Sequence, residues 1–138
     1  AGDIPLIEGD KAVARIVAGR VSDVTGPLTS HGSPTVIHTS LKAGGSITLD
    51  TDARELALYT MTGSARVGGQ TVTPGELVRF SEGDAVTLTS DQDSELLIVG
   101  GDPLDAPIVR HGPFVMNTID ELERAVRDYY ADHMGVIV

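Results

Sequence analysis

Twenty acidic residues against ten basic ones give this 138-residue chain a formal net charge of -10, and no three of the basic side chains cluster, so the basic face that duplex nucleic acid requires is missing. Hydrophobic residues make up 41% and aromatics only 4%, without tryptophan, which argues against disorder and for a small core of Val, Leu and Ile in a single domain spanning residues 1–138. The absence of cysteine excludes disulfides, thiolate metal sites and cysteine catalysis.

The N-terminus shows no basic segment followed by a long apolar one, and no apolar run approaches membrane-spanning length. The expectation is a cytoplasmic protein with no membrane or direct nucleic-acid partner. From Val13 to Ala18 the chain reads as a strand. Thr35 to Lys42 alternates apolar and polar, Gly44-Gly45 ends it, and Ser46 to Leu49 follows. Glu55 to Met61 reads as a buried strand. Ser64 to Val67 and Gln70 to Val72 flank Gly68-Gly69, a hairpin signal. Glu76 to Phe80, Ala85 to Thr89 and Glu95 to Val99 complete the set, punctuated by Pro74-Gly75, Glu82-Gly83-Asp84 and Asp91-Gln92-Asp93. Short strands at even spacing with such turns predict an all-β sandwich or barrel.

Ile108 to Thr118 is an extended run broken at Gly112-Pro113, and a helix starts at its end. Thr118 has N-cap chemistry, Glu121 follows at capping-box spacing, and Leu122, Ala125, Val126 and Tyr129 share one helical face. The spacing predicts a C-terminal helix over 118–133. Phe114, Val115 and Met116 are three consecutive apolar residues in a connector, which should be polar unless covered. Phe114 is expected to be buried and to anchor the helix, and Val115 or Met116 to face a partner.

The string His111-Gly112-Pro113-Phe114-Val115-Met116-Asn117-Thr118, followed by an acidic helix, resembles the C-terminal signature of the pirin family. Gly100-Gly101-Asp102-Pro103-Leu104-Asp105-Ala106-Pro107 is similar to the family's approach to it. Asp3-Ile4-Pro5, within residues 1–10, resembles the end of the interdomain linker, and Arg15 to Gly19 resembles the strand that opens the second domain. A pirin has two cupin domains in tandem, and only the second is matched here. Tyr59 to Val67, Thr73-Pro74-Gly75-Glu76 and Ser81-Glu82-Gly83-Asp84 also resemble the punctuation of a cupin. The resemblance implies a double-stranded β-helix of the jelly-roll kind with one C-terminal helix. It implies iron in the N-terminal cupin, and a family associated with quercetin 2,3-dioxygenase activity and with protein–protein roles in transcription regulation.

Cupin metals are held by His-x-His, a Glu four residues on, and a later His. Such imidazole and carboxylate sets suit divalent transition metals. Alignment on Gly63 puts Leu49 and Thr51 at the first two positions and Glu55 at the third. The later position falls in Ala85 to Thr87, which holds no histidine. One carboxylate does not hold a transition metal, so the expectation is a domain with no metal, cofactor or catalytic residue of its own. His31 lies in a turn, His38 is mid-strand and able to face inward, His111 belongs to the signature, and His133 near a helix C-terminus is accounted for by the dipole. For His111 the expected role is local: holding the turn that aims the helix. No Gly-x-Ser-x-Gly elbow appears, and the Gly-rich turns lack the Lys or helix start of a phosphate cradle.

The expected function is therefore a structural and interaction domain packing on an iron-binding N-terminal cupin, with a homo-oligomer as a further possible assembly. The rival is a stand-alone cupin that binds a small molecule or acts through a non-standard site. Its pocket would be lined by residues such as Thr35, His38, Thr51, Tyr59 and Thr60, with Glu55 nearby. A third is a transcription-partner module that binds protein alone.

Overall fold

Alternation decides which side of each strand is dry. In the computed structural model, which describes residues 3–81, 83 and 85–135, β1 (Leu6–Ala18) buries Ala12, Ala14, Ile16 and Ala18. β4 (Thr35–Asp50) buries Thr35, Ile37, Thr39, Leu41, Ile47 and Leu49. β5 (Glu55–Thr62) and β10 (Ser94–Gly101) point Leu58, Thr60, Leu96 and Ile98 the same way. The interior is aliphatic, as the composition predicts. Two short strands not evident in the sequence, β2 (Arg20–Val21) and β3 (Val24–Thr25), form a small hairpin after β1.

β4 organises the barrel. Its first half lies between β1 and β10, both antiparallel, with Arg15 opposite His38 and Leu97 opposite His38 on the other side. Its second half pairs with β9 (Ala85–Ser90), from Gly45 opposite Ser90 to Asp50 opposite Ala85. Both β9 and β10 run antiparallel to β4, so the turn read at Asp91-Gln92-Asp93 is a bend in one long path along it. β5 extends past the bend as β6 (Ala65–Val67), which meets β9 and pairs with β7 (Gln70–Val72) across the predicted Gly68-Gly69 turn. β8 (Leu77–Arg79) closes the other edge against β5. The strand order is β7-β6-β9-β4-β10-β5-β8, with β1 on β4. This is the all-β, cupin-type jelly roll expected from the sequence.

The bend is held by specific chemistry. Asp93 Oδ2 accepts from Lys42 Nζ at 2.6 Å and Oδ1 from the Ala43 amide at 3.1 Å. Behind it, the hydroxyls of Ser90 and Ser94 lie 2.6 and 2.7 Å from the Ser64 carbonyl, and Ser94 Oγ accepts from the Ser64 amide at 3.0 Å. Gly63, at φ +73°, crosses so close to the Asp93 carbonyl and Ser94 that a Cβ would overlap both. That explains why this turn carries glycine, the only residue comfortable there without a Cβ.

Beyond Pro103 the chain forms a second compact unit. β11 (Val109–His111) pairs with β12 (Phe114–Met116) across Gly112-Pro113, and α1 (Ile119–Tyr130) follows. The capping box is formed as predicted: Glu121 N donates to Thr118 Oγ1 at 3.2 Å, and Thr118 N donates to the Glu121 carboxylate at 3.0 Å. The helix ends at Tyr130 with Ala131 as C-cap, so His133 lies beyond it. Leu122 and Ala125 are buried. Phe114 is half-buried, short of the full burial expected, with its ring edge-on to Tyr129 at 5.7 Å. Val115 points outward, and Met116 is half-buried.

Candidate functional site

Two places in the strand-rich unit gather chemistry. The first is a cavity of about 620 Å³ at the mouth of the barrel, between the Asp50–Leu56 turn and the segment from Phe80 to Val86. Its wall carries Asp50, Thr51 and Arg54 over an apolar floor of Leu56, Phe80 and Val86. Thr51 is fixed by bonds from its hydroxyl to the Arg20 carbonyl at 3.2 Å and from the Ala53 amide at 3.3 Å. A smaller depression beside it shares Asp50 and Asp52, with Arg20 Nη1 3.8 Å from Asp52. Glu82 and Asp84 of the predicted Glu82-Gly83-Asp84 turn lie outside the described residues.

Of the cupin ligand positions, Thr51, Ala85 and Val86 line this cavity while Leu49, Glu55 and Thr87 do not, and the set does not fit a metal. Leu49 is buried and apolar, Thr51 has its hydroxyl engaged with backbone, Glu55 is exposed, and Ala85, Val86 and Thr87 offer no imidazole. Among the described residues, no three His, Asp or Glu side chains stand close enough together to hold a metal ion.

The second place is a polar network on the outer face of the sheet. Ser40 Oγ donates to Glu95 Oε2 at 2.7 Å, and His38 Nε2 lies 2.8 Å from the same oxygen. Arg15 Nη1 donates to Ser40 Oγ at 3.1 Å and stands 3.4 Å from His38 Nδ1. Register makes this network: Arg15, His38 and Ser40, and Glu95 sit on three adjacent strands with the same outward parity. Each ring nitrogen of His38 has a neighbour, and an Nε2–H tautomer satisfies both contacts.

The remaining sequence candidates separate. His38 faces outward, since its neighbours Ile37 and Thr39 are fully buried, and Tyr59 lies on the same outer face. Neither lines the mouth cavity, and neither does Glu55. Thr35 and Thr60 point into the barrel, and the hydroxyls of Thr39 and Thr60 have no hydrogen-bond partner among the described residues. His31 is exposed in the loop before β4. His111, Gly112 and Pro113 form the exposed hairpin tip, with His111 opposite Phe114, and the Asn117 amide donates to Glu121 Oε2 at 3.2 Å. The signature thus shapes the hairpin and helix start. Arg15, Ser40 and Glu95 are the residues that sequence reasoning misses: parity marks them as outward, but only register brings them together.

The pirin C-terminal cupin domain model matches residues 36–135. The chain belongs to this family. It is 40% identical over 129 residues to a Vibrio cholerae protein named provisionally as a quercetin 2,3-dioxygenase, covering 89% of this chain and 46% of that one. Mouse pirin is 37% identical over 78 residues, 52% of this chain and 27% of pirin. Among solved structures, a quercetin 2,3-dioxygenase from Acinetobacter baumannii superposes with a TM-score of 0.83 at 29% identity, over 99% of this chain and 49% of that one. The chain spans about half the length of the relatives it matches most fully. Among the described residues of this pirin domain, no helix is long and apolar enough to cross a membrane.

Proposed function

We propose that this pirin domain is a cytoplasmic structural and interaction cupin without a catalytic metal of its own, packing on an iron-binding N-terminal cupin. The observation that carries this reading is the set of residues at the cupin ligand positions: Leu49, Ala85 and Val86 are apolar, the Thr51 hydroxyl is bound to backbone, the Thr87 hydroxyl lies 2.9 Å from that of Thr48, and Glu55 is turned to solvent. A lone exposed carboxylate gives a transition metal neither the ligand number nor the imidazoles it needs. Support for packing comes from the hairpin–helix unit, where Ile108, Val115 and Ile119 are 78%, 60% and 64% exposed. Apolar side chains left so open support the reading of a surface for a partner. Any quercetin dioxygenase chemistry then belongs to the N-terminal cupin.

The purified chain should carry no stoichiometric iron, manganese, nickel or zinc, and should not consume oxygen with quercetin. One tightly bound metal per chain, or quercetin cleavage by the chain alone, overturns the reading. The mouth cavity favours a second reading, a small-molecule cupin, because about 620 Å³ with an apolar floor and a few polar groups is ligand-sized. Backbone amide shifts at Thr51, Arg54 and Phe80 on titration with quercetin would support that alternative.

A further inference from the structure

The chain has three tyrosines, and two of them, Tyr129 and Tyr130, close α1. Both rings are exposed, Tyr130 to 82%. Their centroids are 5.6 Å apart and their planes meet at 71°, so they form a corner rather than a flat wall. Phe114, edge-on at 5.7 Å, braces Tyr129. Beyond the helix the chain turns at Asp132, whose φ is +55°. The Asp132 amide donates to the Tyr129 carbonyl at 3.2 Å, and the His133 amide to the Asp128 carbonyl at 2.8 Å. The turn brings Met134 and Gly135 back toward the rings. Tyr129, Tyr130, Asp132, Met134 and Gly135 together line a cavity of about 440 Å³ within the hairpin–helix unit.

Each part of this wall favours positive charge. The faces of aromatic rings are electron-rich. The last carbonyls of α1 are the negative end of the helix dipole. Asp132 adds a carboxylate, and Met134 a polarisable thioether. Of the basic groups nearby in sequence, Arg127 lies 3.9 Å from Glu123 and His133 does not line the cavity. A bare metal ion is poorly served, because the cavity offers one carboxylate and rings supply no ligand atoms. We propose that this cavity binds the trimethylammonium group of a small organic cation. Such a group is broad enough to touch both rings, and it spreads its charge over methyl groups that suit an aromatic corner. A carboxylate or phosphate carried close to the ammonium would face Asp132 and the helix dipole. The ligand class is therefore a net cation of the choline type, rather than a zwitterion or a phosphocholine headgroup. The site uses no residue of the barrel mouth and is independent of the packing role.

Titration of the full chain with choline, followed by NMR, tests this. Saturable amide shifts are expected at Tyr130, Asp132 and Gly135, with a Kd in the millimolar range and an upfield move of the choline methyl protons under the ring currents. The neutral isostere 3,3-dimethyl-1-butanol and the zwitterion betaine should both bind more weakly than choline. Tyr130→Leu should weaken choline binding about two- to fivefold, the range an exposed cation–π contact supplies, while Tyr130→Phe keeps it. Asp132→Asn tolerates the same backbone turn and should weaken choline about fivefold while narrowing its advantage over betaine. That narrowing is a readout that loss of structure would not give. Both side chains are exposed, so the variants should fold, and circular dichroism checks it. The proposal is overturned by the absence of saturable shifts, or by an isostere that binds as tightly as choline. It is equally overturned by choline binding unchanged in Tyr130→Leu, or by shifts seen only with phosphatidylcholine vesicles.

Discussion

Thr39 and Thr60 are fully buried, both stand opposite Leu96 on its two sides, and neither hydroxyl has a partner among the described residues. An unpaired buried hydroxyl costs about 1–3 kcal/mol of desolvation. Valine keeps the branched shape and the stiff χ1 that suit a strand, and replaces the hydroxyl with a methyl group of similar size. Thr39→Val and Thr60→Val should therefore each stabilise the chain, by about 1–2 kcal/mol. The two sites are separated by two strand spacings, about 10 Å, so their effects should add to within about 0.5 kcal/mol. At this chain length each kcal/mol corresponds to about 3–5 °C in Tm, giving roughly 6–20 °C for the double variant. Urea unfolding should show a higher midpoint at an unchanged slope. A double variant less stable than the parent refutes the reasoning, because it means the hydroxyls are engaged by something polar inside the barrel, and the interior is then a binding site rather than a core.

Phe114→Ala should cost about 1–2 kcal/mol, less than a full aromatic core truncation, because the ring is half-buried and its edge-on contact with Tyr129 is the main loss. Faster amide exchange in β11 and α1, with β4 and β10 unaffected, checks this. The hydrogen bond from Lys42 and the one from the Ala43 amide hold the Asp93 carboxyl below its ordinary value of 3.8, and the same Asp93 contact raises Lys42 above 10.5. The Asp93 contribution is present above pH 3.8 and is lost as pH falls through its lower folded value. The Lys42 contribution is present below pH 10.5 and is lost as pH rises through its higher folded value. In Asp93→Asn, titration by NMR should return Lys42 toward 10.5. An unmoved Lys42 would show that the pair is not formed in solution.

What the sequence made legible was local. The Gly68-Gly69 hairpin and the Thr118/Glu121 capping box are each fixed within a few residues, and both formed as read. The aliphatic core follows from alternation and composition. The misreadings share one cause, long-range pairing. Gly44-Gly45 looks like a strand end, but Gly44 at φ +73° lets β4 bend and continue, and a Cβ on Gly45 would stand 2.7 Å from the carbonyls of Lys11 and Lys42. Asp91-Gln92-Asp93 is read as a turn and is one, but that the two strands it joins both pair with β4 is not visible locally. Residues 6–10, similar to a linker, are strand because Asp10 finds Ser46. Period-2 alternation puts His38 opposite in sense to Ile37 but does not say which of them faces the core. The polar network needs the register of three strands, which no single segment encodes.

The line along which β4, β5–β6 and β9–β10 all bend has a consequence for how the barrel comes apart. Because these paths run through the bend from one sheet into the other, neither sheet holds an independent set of strands that can remain folded while its neighbour melts. Local opening should stop at the short edge strands, β7 and β8, and the next step is loss of the whole barrel. Assembly is constrained in the same way. β1 must find β4 across eighteen or more residues, and β10 must find it across more than fifty, before the first half of the strand is flanked. Folding is then slow and all-or-none, in the millisecond-to-second range typical of sandwiches built on distant pairings.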